Sequence, residues 1–102
     1  DRDRLRRALQ DEYGPVAQWA VAFAHDSTHL LIMSKGAYFA TLPDSAFSDS
    51  AHAVIRFALS HYARRSELDS VTLDVGEFVE PKLGFAYFRV GRSVRTSVPR
   101  TR

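Results

Sequence analysis

The sequence predicts a single α+β domain in which two helices cover one face of a mostly antiparallel sheet of about five strands. Two segments place apolar residues at the helical spacing, and the remaining segments alternate apolar with polar residues or form short apolar runs between turn residues. The predicted order along the chain is α-β-β-β-α-β-β. A length of 102 residues fits one domain with its own hydrophobic core.

The first element, over residues 2–13, is predicted to be a helix. Leu5, Leu9 and Tyr13 recur every four residues and form a narrow apolar stripe. A Gly-Pro pair follows at once and ends the helix. A helix this short needs to pack against the rest of the domain to persist.

The next three elements are predicted as a meander of strands over residues 16–25, 29–34 and 37–42. In the first strand, bulky apolar residues alternate with alanine and glutamine, which gives one bulky face and one small face. The sequences DST and KG separate the three strands and are typical of turns.

The second helix is predicted to begin at an N-cap among Ser48, Asp49 and Ser50 and to end near Arg65. Apolar residues within 51–62 follow the helical period and form a wide face. This helix separates the meander from the last two strands.

Residues 71–79 and 84–90 are predicted as the last two strands, joined by a turn at EPK. Gly76 interrupts the alternation of the first of them and indicates a bulge. The folded domain is therefore expected to span residues 1–92.

The composition excludes several classes of function. The absence of cysteine excludes disulfides, thiolate nucleophiles and cysteine-ligated metals. No apolar run approaches the ~20 residues that span a bilayer, so we expect no membrane-spanning segment. The absence of cysteine suits a cytoplasmic protein, which is the compartment we expect. No glycine-rich phosphate-binding pattern is present, and we expect neither a cofactor nor a small-molecule substrate.

Charge is unevenly distributed along the chain. The formal net charge is +2, but residues 89–102 contain five arginines and no acidic residue. We expect residues 93–102 to form a basic C-terminal tail that is flexible. Such a tail suits a nucleic acid or an acidic protein surface, and it also suits simple solvation.

The stretch GFAYFRV, residues 84–90, is close to the motif with which RRM domains stack RNA bases. The match is incomplete, because Leu83 and Val90 occupy positions where the motif needs a basic and an aromatic residue. Too few residues follow for the helix and strand that an RRM places after this motif. The meander predicted near the N-terminus does not fit an RRM either, so we do not assign that fold.

The aromatic strand remains the main candidate for a binding surface. Phe85, Tyr87 and Arg89 are expected on one side of it, and Phe88 and Val90 on the other. An exposed aromatic side could stack single-stranded bases, bind a second copy of the chain, or be covered by the domain itself. The candidate residues for a partner or a nucleic acid are Phe85, Tyr87, Arg89, Arg92, Arg95, Arg100 and Arg102.

Two further patterns suggest chemistry only weakly. His25, Asp26 and His29 flank a turn, and two imidazoles with a carboxylate could hold zinc, although a turn aspartate usually caps its own backbone. Ser60 and His61 are adjacent in the second helix, where neighbouring side chains are expected to diverge. No catalytic constellation is evident.

We therefore expect a non-enzymatic interaction or regulatory module that acts through protein–protein contact, as a homodimer or with another protein. The alternative is single-stranded nucleic-acid binding through the arginine-rich tail and the aromatic strand 84–90. An enzyme is the less favoured third class, because only the histidine pattern supports it.

Overall fold

The computed structural model describes residues 2–14, 17–24, 27–62, 64–79 and 84–98. The elements, in chain order, are α1 (Arg2–Tyr13), β1 (Gln18–Ala24), β2 (His29–Lys35), α2 (Ala37–Thr41), α3 (Asp44–His61), a 3-10 turn (Arg65–Glu67), β3 (Ser70–Val79) and β4 (Tyr87–Ser97).

The four strands form one sheet in the order β1-β2-β3-β4. β1 and β2 are antiparallel, β2 and β3 are parallel, and β3 and β4 are antiparallel. The parallel pair arises because α2 and α3 carry the chain from the end of β2 back to the start of β3. The domain is thus α+β with a mixed, mostly antiparallel sheet, and the prediction of five strands was wrong by one.

The strand predicted over 37–42 is the helix α2, followed by Leu42. Two features explain the difference. The two edges of β2 pair with β1 and β3, so a third meander strand has no edge of β2 to join. Phe39 is 2% exposed and packs edge-on against Trp19, with ring centroids 5.8 Å apart, so the helical conformation places this ring in the core.

All three helices contribute to one hydrophobic core on a single face of the sheet. The strands supply alternate residues to this core, and the helices supply their apolar stripes. The buried apolar residues are Leu5, Leu9, Ala17, Trp19, Val21, Leu30, Ile32, Phe39, Phe47, Ala51, Val54, Ile55, Ala58, Tyr62, Leu68, Val71, Leu73 and Val75.

α1 coincides with the predicted helix, whereas α3 is displaced from its prediction. α3 begins at Asp44, directly after Pro43, because Phe47 extends the apolar face by another turn. It ends at His61, and a fork of two hydrogen bonds from Arg64 to Glu67 follows in the 3-10 connection.

Tyr13 closes the core at the end of α1. Its ring lies 5.6 Å from that of Trp19 and 5.5 Å from that of Phe57, measured between centroids. Burial, with Glu12 beside it, raises the pKa of the Tyr13 phenol above its ordinary value. This aromatic contact joins α1, β1 and α3 at one end of the domain.

None of the described helices is both long and apolar enough to span a bilayer.

Candidate interaction surface

The sheet has a second face, opposite the helices, which we call the open face. Strand register and side-chain alternation assign its residues. They are Gln18, Ala20, Ala22 and Ala24 of β1; His29, Leu31, Met33 and Lys35 of β2; Ser70, Thr72, Asp74 and Gly76 of β3; and Val90, Ser93, Arg95 and Ser97 of β4.

The half of the open face that β1 and β2 form is apolar. Ala20 lies opposite Met33, and Ala22 lies opposite Leu31. These four side chains, with Ala24, are half-buried, whereas the described strand residues on the helix side of β2 are buried. We call these five residues the apolar half.

The half that β3 and β4 form is polar, apart from Gly76 and Val90. The Ser93 hydroxyl donates a hydrogen bond of 2.6 Å to Asp74 Oδ1. Arg95 lies opposite Thr72 and is exposed. The polarity of the open face therefore changes from strand to strand across the sheet, with apolar residues towards the β1 edge and polar residues towards the β4 edge.

His29 lies at one end of the open face and joins β2 to β3. Its Nδ1 is 2.5 Å from Ser70 Oγ, and its Nε2 is 3.0 Å from Thr72 Oγ1. In a neutral imidazole one nitrogen donates and the other accepts, so two hydroxyls satisfy the ring. The other two residues of the zinc pattern, His25 and Asp26, lie outside the described residues.

Among the described residues, no group of three His, Cys, Asp or Glu side chains is placed to hold a metal ion. Ser60 and His61 do meet, contrary to the expected divergence, with Ser60 Oγ 3.0 Å from His61 Nδ1. Both groups also turn back to the Phe57 carbonyl, at 2.7 and 3.0 Å, and both are exposed in the last turn of α3. This is the contact of a helix end with its own backbone.

β3 and β4 extend beyond the end of β2. The last residue of β2, Lys35, lies opposite Gly76. Within the part of the chain that the structure describes, residues 77–79 pair only with residues 87–89 of β4. We call residues 77–79 and 84–90 the arm. An isolated two-stranded ribbon is at best marginally stable in water, so the arm depends on the sheet that anchors it.

The arm carries most of the exposed large apolar side chains among the described residues. Phe85 is 93% exposed, Tyr87 53% and Val90 47%. Among the described residues only one other large apolar side chain, Tyr38, is comparably exposed. Phe85 precedes β4, which begins at Tyr87, so the predicted placement of Phe85 and Tyr87 on one side of the same strand does not apply.

A bulge at the base of the arm changes which residues share a face. The register shifts between Val75 and Gly76, because Gly91 is inserted opposite them. Val90 consequently lies on the open face, and Tyr87 lies on the side of the helices. Neither the bulge partner nor this change of side follows from the alternation of the sequence alone.

The candidate arginines do not form one basic surface within the described residues. Arg92 lies on the helix side, where it donates to the Phe39 carbonyl at 3.0 Å and to Asp44 Oδ1 at 2.9 Å. Arg89 forms an ion pair with Glu77 across the arm. Arg100 and Arg102 lie outside the described residues. β4 continues to Ser97, beyond residue 92, where the sequence predicts the end of the folded domain.

An open cleft of about 770 Å³ lies at the base of the arm. Its charged lining consists of Lys35, Glu77, Arg89 and Arg92. Among the described residues, two of the three cations of this lining pair with carboxylates, and Lys35 is the one without an ion pair, so the lining is not a concentrated anion site.

Sequence reasoning missed the anchoring role of Arg92. Its guanidinium carbon lies 4.6 Å from the centre of the Phe47 ring, which is buried. The available signal was the spacing of two residues between Arg92 and Val94. Residues two apart in a strand point to the same face, so both lie on the helix side. The Arg-rich composition of the segment concealed this alternation.

A comparison of the chain with known protein families, with curated proteins and with solved structures gives no match.

Proposed function

We propose that this chain is a non-enzymatic interaction module that acts through protein–protein contact and self-associates. The observation that carries the proposal is the apolar half of the open face. Leu31, Met33 and the alanines of β1 have no covering element in the part of the chain that the structure describes. Apolar surface of this kind on a small domain usually marks a contact with another protein.

The arm supports the same proposal at the opposite corner of the sheet. Phe85 and Tyr87 present aromatic rings to solvent, and aromatic side chains are enriched at protein interfaces. Because the arm and the apolar half are separated by polar residues of β3 and β4, the module has two distinct apolar surfaces.

Nucleic-acid binding is the alternative that the test must separate. It requires arginines that are free to neutralise phosphates, and Arg89 and Arg92 are engaged with carboxylates of this chain. Of the candidate residues that the structure describes, Arg95 and the exposed rings of Phe85 and Tyr87 remain for it.

Sedimentation velocity over a wide range of protein concentration tests the proposal, with and without a fluorescent single-stranded oligonucleotide at low and high salt. We expect reversible self-association that is the same with and without the oligonucleotide, and no binding of the oligonucleotide. A strict monomer at every concentration would contradict the proposal. A monomer that carries the oligonucleotide at low salt and releases it at high salt would establish the nucleic-acid alternative.

A further inference from the structure

The two edges of the sheet differ in how they are protected against pairing with another strand. β4 carries Arg89, Arg92 and Arg95 and a bulge at Gly91, and charges and bulges are the devices that keep an edge strand from pairing. β1, from Gln18 to Ala24, contains no charged residue and no proline, and its register with β2 is continuous. Among the described residues, β1 therefore lacks the charges and the bulge that protect β4.

We propose that β1 pairs antiparallel with β1 of a second copy of this chain, about a two-fold axis at Val21, to form a continuous eight-stranded sheet. The inference rests on the proposed function, because it specifies how the module self-associates. A two-fold axis places the same strand on both sides of the contact, so the strand has to be complementary to itself.

The sequence of β1 meets this requirement. With Val21 opposite its own counterpart, Ala20 of one copy faces Ala22 of the other, and Trp19 faces Phe23. No like charges face each other across the axis, because β1 contains no charged residue. An antiparallel ladder of seven residues supplies about six to eight backbone hydrogen bonds in this register, whichever set of residues points outward.

The division of the open face indicates that the occupant of the β1 edge is a second copy. In one chain the apolar half lies at the β1 side of the face, beside the edge. Pairing through β1 brings the two apolar halves together at the centre of the new face and leaves the polar residues of β3 and β4 at its two rims. An apolar centre with a polar rim is the usual anatomy of a protein contact surface.

The combined apolar centre is large enough to function as a contact surface. Four strands at about 4.8 Å spacing and five residues at about 3.4 Å rise give an area of roughly 300 Å². The largest apolar patches on soluble monomers have areas of roughly 300–600 Å² and are often functional. Self-pairing therefore both satisfies the open edge and assembles a surface that a single chain only half provides.

Two other occupants are outcomes of the test. An extended peptide of another protein would satisfy the backbone of β1 but would leave the apolar half at the margin of the contact. Two copies stacked open face to open face would cover the apolar half but would leave the backbone of β1 unpaired.

Disulfide trapping tests the proposed register, because the chain has no cysteine of its own. In the variant Ala20→Cys/Ala22→Cys, the two facing positions have Cβ atoms about 5 Å apart across the axis, so two bridges form. Within one strand the same positions are about 7 Å apart and cannot be bridged. The matched control is Ser93→Cys/Arg95→Cys, which has the same spacing and face on the protected edge strand β4.

We expect mild oxidation to convert the β1 variant almost completely to a covalent dimer and to leave the β4 variant monomeric on a non-reducing gel. The reduced β1 variant should sediment like the unmodified chain, which checks that it folds. Trapping should also persist when Met33→Glu is added, because this charge blocks a face-to-face stack but lies outside the paired edges.

The possible failures are distinguishable. An unmodified chain that self-associates while the β1 variant does not cross-link overturns edge pairing and leaves the proposed function standing. Cross-linking that Met33→Glu abolishes shows a face-to-face stack and also overturns edge pairing. An unmodified chain that is monomeric at all concentrations overturns both the self-association and its mode.

Discussion

Replacing Arg92 by methionine tests whether this arginine anchors β4 to the helices rather than serving a basic tail. The substitution keeps most of the length of the side chain and removes the guanidinium. Three contacts are lost: the hydrogen bond to the Phe39 carbonyl, the ion pair with Asp44, and the cation–π contact with Phe47.

The magnitude follows from the three contacts. A hydrogen bond from a charged donor contributes about 1.5–3 kcal/mol, and a cation–π contact contributes about 0.5–1 kcal/mol. The Asp44 side chain is fully exposed, so the ion pair adds little in water. We expect Arg92→Met to lower the free energy of unfolding by about 2–4 kcal/mol, which corresponds to a fall in Tm of about 8–16 °C for a domain of this size.

Urea unfolding followed by circular dichroism measures this free energy, at one low protein concentration so that self-association does not contribute. Arg95→Met is the matched control, because Arg95 is exposed on the opposite face of the same strand, and it should change the free energy by less than about 0.5 kcal/mol. Equal effects of the two substitutions would refute the anchoring role of Arg92.

Three further local features are tested by unfolding or titration. Gly76→Ala places a methyl group against a carbonyl oxygen of β4 and should cost about 1–3 kcal/mol, whereas a methyl group on Gly91 meets its nearest atom at 3.5 Å and should be tolerated. Ser34→Ala should raise the free energy of unfolding by about 1 kcal/mol, because the fully buried Ser34 hydroxyl has no hydrogen-bond partner among the described residues. The hydrogen bond from Arg64 lowers the pKa of Glu67, so its stabilising contribution is present above the unfolded pKa and is lost as the pH falls through the folded pKa. Arg64→Gln should raise that pKa in an NMR titration, and an unchanged value would contradict the contact.

The elements with strong periodicity were predictable from the sequence. Leu5, Leu9 and Tyr13 fix the face of α1, and the sharp alternation around Trp19 and Val21 identifies β1. In these segments the local pattern and the tertiary packing require the same conformation, which is why the prediction of type and position was confirmed.

The third predicted strand failed for a reason that lies outside its own sequence. A six-residue run with two aromatic residues has no decisive period. Its conformation depends on the space around Phe39 and on β3 occupying the free edge of β2, and the latter pairing joins segments about 40 residues apart. The competition between β3 and the predicted third strand for the edge of β2 cannot be detected from the sequence of a short segment.

The candidate surface was predictable only in part. The small alanine face of β1 was visible in the sequence, and so was the aromatic character of residues 85–88. The bulge that moves Val90 onto the open face, and the turning of Arg92 towards Phe47, depend on the pairing of β3 with β4. Side-chain direction past a bulge cannot be obtained by counting residues.

The central claim is that an uncharged edge strand joins two copies with Ala20 of one opposite Ala22 of the other. The most direct test compares Ala20→Lys/Ala22→Lys with Ala20→Lys/Ala22→Glu by sedimentation equilibrium. In the first variant like charges face each other twice across the axis, and in the second opposite charges do, so the dimer dissociation constants should differ by at least about tenfold. A weakened dimer in the first variant and a retained dimer in the second is the expected result. Equal dissociation constants for the two variants would contradict pairing through β1.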